Sequence, residues 1–391
     1  MNEIIPLSSI DHIFTGVGSY PIEFIFLYDG FLDENGLQES LTKTISHFQT
    51  IASILIRQSK DAYAFQLSPD GVEFDVVISK VNYENNDRKY EYINPVETQE
   101  NNPLTKIKLT HTPKGTVLGV SISHSIVDGF SYFHFLSSWA RIFQGKQFLP
   151  PTHQRDLLVS DNLSLKDPIT GKEVLQKSGL FLDKKRETIA KEDLIWDSRI
   201  FKNEELKELL TKAQSECEIR LSYNDIVTAK LAQEYLEKWH QSGKNNTCYI
   251  SCPVDFRRIK TGFPKTYFGN AVALTSTSIS FEKLMQISLA DLAVKIRMNV
   301  GKVNDEYIGN SIDTLTGLRI QDTSKIFENV HVMDPHTGLL VTNLSRLPVP
   351  DIEFNAGPPV KYDILTQSVR GAVILPHPEG LEARVCCPED I

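Results

Sequence analysis

The sequence predicts an α+β protein of two domains, each a mixed β-sheet flanked by helices, and three observations carry that prediction. Strand-like runs of alternating apolar residues and stripes at helical spacing occur in both halves. They do not follow the regular strand–helix–strand order of a parallel α/β fold, so the sheets should be mixed, with helices packed on them. Between the halves, from Pro150 to about Asp193, apolar periodicity fades and charged residues gather. An N-terminal domain is therefore placed at 1–178, a crossover linker at 179–195 and a C-terminal domain at 196–391.

In chain order, Pro6-Leu7-Ser8-Ser9-Ile10-Asp11-His12 reads as an N-terminal strand and turn. Ile22–Tyr28 is an apolar run consistent with a buried strand. Leu37, Leu41, Ile45 and Phe48 repeat at near-helical spacing, with Asp33 or Asn35 as the cap. Short strands follow near Ile54, at Ala64–Leu67 and at Val72–Ile78, and the polar stretch Asn85–Asn102 reads mostly as loop. Leu104–Thr110 and Thr116–Ser123 form a hairpin through Pro113-Lys114-Gly115. Phe130–Ala140 reads as a packed helix.

The basic residues of the crossover, including the cluster Asp183-Lys184-Lys185-Arg186-Glu187, read as a solvated face. The second half restarts with a strand at Trp196–Phe201. Asn203 then caps a helix whose stripe is Leu206, Leu209, Leu210 and Ala213, with Glu204 and Glu205 in the first turn suiting its dipole. Ser222–Trp239 is a helix, Tyr249–Val254 a strand, and Phe281–Val300 one long amphipathic helix. Strands near Gly338–Asn343, Ile364–Leu375 and Leu381–Cys386 close the chain.

Composition narrows the function classes. The chain has 391 residues, 41% apolar and 23% charged, with a formal net charge of −9. A negative balance argues against non-specific nucleic-acid or anionic-membrane binding. No apolar run reaches the ~18 residues of a membrane helix, and the first residues lack the basic and apolar regions of a signal peptide. Five cysteines, an odd number, favour reduced thiols and a cytoplasmic location. No C-x-x-C or H-x-x-x-H spacing supports a metal.

The chemistry centres on Val120–Phe130. Leu118, Val120, Ile122 and His124 share one side of a strand, so His124 sits where that strand stops. A titratable imidazole at a strand end suits a general base. Asp128, four residues on, is placed to orient the ring or to anchor the loop, and Gly129 permits a tight bend or a close backbone approach.

The segment HSIVDGFSYFHFLSSWA, His124 to Ala140, resembles the catalytic H-x-x-x-D-G segment of the BAHD acyltransferases, relatives of chloramphenicol acetyltransferase and peptide-synthetase condensation domains. VDFRRIKTGFPKTYFGNAV, Val254 to Val272, resembles a second family segment through Asp255, Arg257, Tyr267, Phe268, Gly269 and Asn270, with Ile259 where a second arginine is usual. VTNLSRLPVPDIEFNAGPP, Val341 to Pro359, resembles a third through Thr342, Leu347, Pro348, Phe354, Gly357 and Pro359, but Asn343, Leu344 and Ala356 depart from it. Leu7-Ser8 and Asp11 match the family's entry pattern.

The resemblance implies two chloramphenicol-acetyltransferase-like domains with an active-site tunnel between them. It implies that acyl-CoA is a co-substrate, that no cofactor is held permanently and that the acceptor is a small molecule with a hydroxyl or amine. Monomeric enzymes of secondary metabolism are the implied setting. His124 is the implied base, and Asp128 belongs to the same catalytic motif; carried over from the family, its carboxylate pairs with Arg257 across the halves. Gly129 and Asn270 are implied supports. Thr342 and Asn343 are candidates for the oxyanion, since Ala356 lacks the indole some members use there. Arg346 falls where some members grip an acceptor carboxylate, a task suited to a guanidinium fork.

Three alternatives stay open: a carrier-protein donor, as in condensation domains, a non-catalytic binding protein on the same fold, and a hydrolase. Condensation domains often carry a second histidine before the catalytic one. Ser123 stands there instead and favours acyl-CoA.

Overall fold

Alternation of apolar residues in the first half builds a mixed sheet that carries His124 at one end. The computed structural model describes residues 3–15, 20–60, 62–68, 71–83, 86–160, 168–183, 194–240, 246–321 and 329–388, and the architecture is that of these residues. The first half contains β1 (Ile4–Pro6), β2 (Pro21–Tyr28), α1 (Glu34–Ile45), β3 (Ser53–Ser59), β4 (Ala62–Leu67), β5 (Glu73–Ile78), β6 (Thr105–Thr112), β7 (Gly115–Ser123) and α2 (Gly129–Phe143). The crossover carries α3 (Gly171–Ser178) and β8 (Phe181–Leu182). Then come β9 (Leu194–Lys202), α4 (Asn203–Ser215), α5 (Tyr223–Lys238), β10 (Thr247–Asp255), β11 (Val272–Ser280), α6 (Phe281–Leu284), α7 (Leu289–Val300) and α8 (Asp305–Gln321). β12 (Val330–His331), β13 (Gly338–Asn343), β14 (Lys361–Ile364), β15 (Gly371–His377) and β16 (Gly380–Pro388) complete the order.

The first large sheet runs β14-β2-β7-β6-β5, antiparallel except between β5 and β6. One face buries Phe24, Phe26, Leu118, Val120 and Ile122 against Tyr132, Phe133, Leu136 and Trp139 of α2 and Leu37 and Leu41 of α1. The opposite face buries Ile25 and Val117 under Tyr92 and Ile93. Strand β2 is thus covered on both sides, which explains its apolar run from Phe24 to Tyr28. The covering segment includes a seven-residue 3-10 helix at Asn86–Tyr92, within the stretch expected to be loop. Its apolar end caps the sheet, and a side chain at Gly119 would collide with the Tyr92 carbonyl, 2.1 Å from an added Cβ.

The second large sheet runs β11-β10-β13-β15-β16-β9. Helices α4, α5 and α7 cover one face through Leu206, Ile226, Tyr235, Leu292 and Ile296. Helices α3 and α8 cover the other through Val174, Ile308, Ile312 and Leu315. Smaller sheets, β1-β4-β3 and β12-β8, flank the two.

Three local expectations are corrected, and one helix, α8, has no counterpart among them. Phe281–Val300 is two helices, because Ser288 accepts a hydrogen bond from the Asp291 N–H at 3.0 Å and caps a new start. Ile364–Leu375 is not one strand: β14 joins the first sheet, β15 joins the second, and Arg370 turns the chain between them at φ 60. Asn203 is not the cap of α4; Lys202, still paired with Gly380 of β16, precedes the helix without a side-chain cap. Helix α8 escaped the pattern because its buried face mixes Ser311, Thr314, Thr316 and Gly317 with the apolar residues.

The expected domain boundaries are crossed twice. Helix α3, in residues 1–178, packs on the second sheet, and β14, in residues 196–391, extends the first. Lys184, Lys185 and Arg186 lie outside the described residues. Cys217, Cys248, Cys252, Cys386 and Cys387 are free. No helix among the described residues is long and apolar enough to cross a membrane.

Candidate active site

Strand β7 ends at Ser123, whose last ladder partner is Pro21, and His124 follows at the sheet's rim. A tight turn returns the chain at once, since the Ile126 N–H donates to the Ser123 carbonyl at 3.0 Å. Asp128 then caps α2, its Oδ1 accepting from the Ser131 N–H at 2.9 Å. Strand, turn and cap together fix the main chain on both sides of the histidine.

The Asp128 carboxylate is fully engaged. Arg257 donates to it in a two-pronged pair, Nη1 to Oδ2 at 2.8 Å and Nη2 to Oδ1 at 3.0 Å. The Ala271 N–H adds a fourth donor to Oδ2 at 3.0 Å. Of the two roles open to Asp128, anchoring the loop is therefore the one this geometry provides. None of these bonds reaches His124. Burial alone would raise the Asp128 carboxyl, but the Arg257 charge and the four hydrogen bonds outweigh it, and its pKa lies below the ordinary value.

Arg257 is buried and fully used. Its Nε donates to the Tyr267 carbonyl at 3.0 Å, Nη2 to the Gly269 carbonyl at 2.9 Å and to Ser131 Oγ at 3.0 Å, and Nη1 to Asp255 at 3.1 Å. Its guanidinium lies 4.4 Å under the Phe130 ring. Gly269 takes φ +153, and a side chain there would strike the Tyr267 ring at 2.8 Å. Glycine is needed at that position. It is not needed at 129, where the backbone has no positive φ and an added Cβ would sit at an ordinary 3.6 Å from Leu344.

Asn270 supports the histidine directly: its Nδ2 donates to the His124 carbonyl at 2.8 Å and to Asp11 Oδ1 at 2.9 Å. Asp11 Oδ2 in turn accepts from the Ser8 N–H at 3.0 Å and from Arg155 Nε at 3.1 Å. Asp11 and Arg155 are both buried, forming a second buried ion pair across three stretches of chain. A strand ending at Pro6 and a turn occupy residues 6–12 as the sequence predicts, whereas Arg155 is buried on Asp11 and is not part of a solvated face. The signal was the Leu7-Ser8 and Asp11 pattern. Ser131, whose Oγ bridges Arg257 and both backbone groups of Gly269, carried no signal of its own.

The His124 ring is half-buried. Phe14 stacks on it, ring centroids 3.8 Å apart and planes 14° apart, and Tyr20 meets it edge-on at 5.7 Å. Nδ1 is buried without a hydrogen-bond partner, which leaves Nε2 as the nitrogen able to meet a substrate. Burial holds the imidazole pKa below its ordinary value; its own backbone carbonyl, Asp128, Asn270 and Asp11 push upward without overcoming it. A neutral imidazole with one reachable nitrogen can take a proton from a bound hydroxyl or amine.

The third segment comes near. Leu344, following β13, faces Gly129 at the start of α2. Thr342 is half-buried and Asn343 exposed, its Oδ1 accepting from the Ser345 N–H at 2.9 Å. Arg346 is exposed and has no ion-pair partner among the described residues. No group of three or more metal-ligating side chains occurs among them either.

A model of the Transferase family matches residues 1–390. The chain belongs to that family, the BAHD acyltransferases. A hydroxycinnamoyltransferase of Narcissus pseudonarcissus is 26% identical to it, covering 90% of this chain and 83% of that one. Anthranilate N-benzoyltransferase protein 2 of Dianthus caryophyllus is 25% identical, covering 85% and 77%. Among solved structures, TRI101 of F. graminearum, complexed with coenzyme A and T-2 mycotoxin, superposes with a TM-score of 0.77 at 15% identity, covering 99% and 96%. Vinorine synthase superposes with a TM-score of 0.72 at 20% identity, covering 99% and 91%. The family expected from the His124 segment is thus the family found, and the α+β fold is shared with both structures.

Proposed function

We propose that this BAHD acyltransferase moves an acyl group from acyl-CoA to a hydroxyl or amine of a small-molecule acceptor, with His124 as general base. The single observation that carries this reading is the held, neutral imidazole with Nδ1 buried and Nε2 left for substrate. Nε2 accepts the acceptor's proton as its oxygen or nitrogen attacks the thioester carbonyl carbon. The C–S bond breaks, and the imidazolium returns the proton to the leaving thiolate. No acyl-enzyme is needed, and holding both substrates in a tunnel between the halves supplies much of the rate.

We keep Thr342 and Asn343 as oxyanion candidates, because the Leu344 that follows them reaches the start of α2. Arg346 is a candidate grip for an acceptor anion: it is exposed and free of ion-pair partners among the described residues. Ser123 is engaged with Thr98 and Ser125, each at 2.8 Å, and does not replace the second histidine of condensation domains. That supports acyl-CoA over a carrier-protein donor. A monomer working in the cytoplasm on a compound of secondary metabolism completes the reading.

The test is thiol release over a panel of acyl-CoAs and acceptors, with product masses measured. The relatives' names put hydroxycinnamoyl- and benzoyl-CoA first, with hydroxyl and amine acceptors, anthranilate among them. An acylated product formed by the wild type and not by His124→Ala supports the reading. Free acid alone marks a hydrolase, and no thiol release across the panel marks a binding protein; either overturns it.

A further inference from the structure

A histidine base usually has its ring plane set by a hydrogen bond at the nitrogen it does not use. At His124 that bond is not well formed: its own main-chain carbonyl and Asn270 act on the ring without aligning with Nδ1. Nδ1 is buried without a well-aligned partner, Asp128 is occupied by Arg257, Ser131 and Ala271, and Asn270 Nδ2 donates to the histidine's carbonyl. The main chain is fixed, yet no well-aligned hydrogen bond at Nδ1 fixes rotation of the ring. The described contacts on the ring are aromatic: the face of Phe14 and the edge of Tyr20.

We propose that Phe14 is a positioning residue whose stacked ring sets the plane in which His124 presents Nε2. Phe14 is only 5% exposed and ends the 3-10 turn Asp11–Phe14. That turn is itself pinned at Asp11, by Ser8 and Arg155 on one oxygen and Asn270 on the other. One short turn therefore grips the histidine twice, at its carbonyl through Asn270 and at its ring through Phe14. A face-to-face approach within 14° leaves the imidazole little freedom to swing. Misplacement of a reacting group by about 1 Å costs up to roughly 10²-fold in rate, so the rotation this stack restrains matters to turnover.

The inference rests on His124 being the base, and its test separates the two. Phe14→Leu keeps apolar volume and removes the flat face. We expect kcat to fall about tenfold or more while KM for acyl-CoA stays within about twofold. The acidic limb of the kcat/KM profile should also move up, toward the ordinary histidine value of about 6.5, because water returns to a ring that burial had depressed. The charges of Asp128 and Asp11, and Tyr20 at the ring edge, stay in place in this variant. A merely structural Phe14 would lower yield or Tm and leave that limb where it was. A folded Phe14→Leu enzyme with wild-type kcat and an unmoved limb overturns the proposal.

A second measurement needs no substrate and no Phe14 variant. In wild-type protein labelled at histidine, the His124 ring resonances, identified by their loss in His124→Ala, should lie upfield through the ring current of Phe14. Resonances at ordinary histidine positions overturn the stack, whatever the acyl-transfer assays give. Upfield resonances without acyl transfer would instead place the failure in the functional reading.

Discussion

Replacing Asp128 with alanine removes four hydrogen bonds at once, and their partners set the magnitude. Two came from Arg257, which stays buried at 2% exposure. Stranding one partner of a buried pair costs about 3–5 kcal/mol. Arg257 still has Asp255 at 3.1 Å, a half-exposed carboxylate, which pulls the cost toward the lower end. Loss of the α2 cap adds about 1 kcal/mol. The expected destabilisation is about 4 kcal/mol, read from urea unfolding followed by fluorescence of Trp139, Trp196 and Trp239.

In the double variant Asp128→Ala/Arg257→Ala no charge is stranded, so the loss should fall short of the sum of the single losses by about 2 kcal/mol or more. Additivity within about 0.5 kcal/mol would refute the pairing. The pH dependence gives a second check. The folded pKa of Asp128 is depressed, so its contribution is complete above the unfolded value of about 3.9 and is lost as pH falls through the folded pKa. The Asp128→Ala penalty should therefore be constant near neutrality and shrink in acid.

Three further outcomes are expected. His124→Ala should fold and lose about 10²–10⁴-fold in kcat; wild-type kcat/KM should rise with pH through an apparent pKa below the usual histidine value and stay near its plateau at neutral pH, and a limb above that value would contradict the burial seen here. Asp11→Ala strands Arg155 and should cost about 3–5 kcal/mol in urea unfolding, less if Arg155 is also changed to alanine. Arg346→Ala should raise KM for an anionic acceptor and leave KM for acyl-CoA unchanged, with Arg346→Lys recovering part of the loss; an unaltered acceptor KM would remove Arg346 from the site.

What could be read from the sequence was what local geometry decides. The β6–β7 hairpin, the histidine at its end and the aromatic helix after it are adjacent in the chain, and periodicity alone locates them. The Asp128–Arg257 pair joins residues 129 apart, so no spacing rule reaches it and only the likeness of two segments to a known family suggested it. Asp11 shows the limit. A Ser-x-x-Asp turn looks the same whether it lies on the surface or at the centre, and its burial is decided by Arg155 and Asn270, 144 and 259 residues away. Helix α8 was invisible because threonines and a glycine packed inward hide a 3.6-residue stripe. Phe14 read as nothing at all, since a stack on a distant ring leaves no periodic trace.

Strand β14 has a consequence for how the protein comes into being. Phe24–Leu27 of β2 take their outer ladder partners from Lys361–Ile364, near the far end of the chain. During synthesis the first sheet can be laid down through β7 long before β14 exists, and one edge of β2 stays open throughout. An open apolar edge is a template for pairing with other chains, and a contact of such sequence separation forms late and slowly. Severing the chain in the crossover would leave the first fragment with that edge permanently bare. Such a fragment should aggregate unless the second is supplied with it, and recovery of activity on co-expression would report the strand arriving in trans.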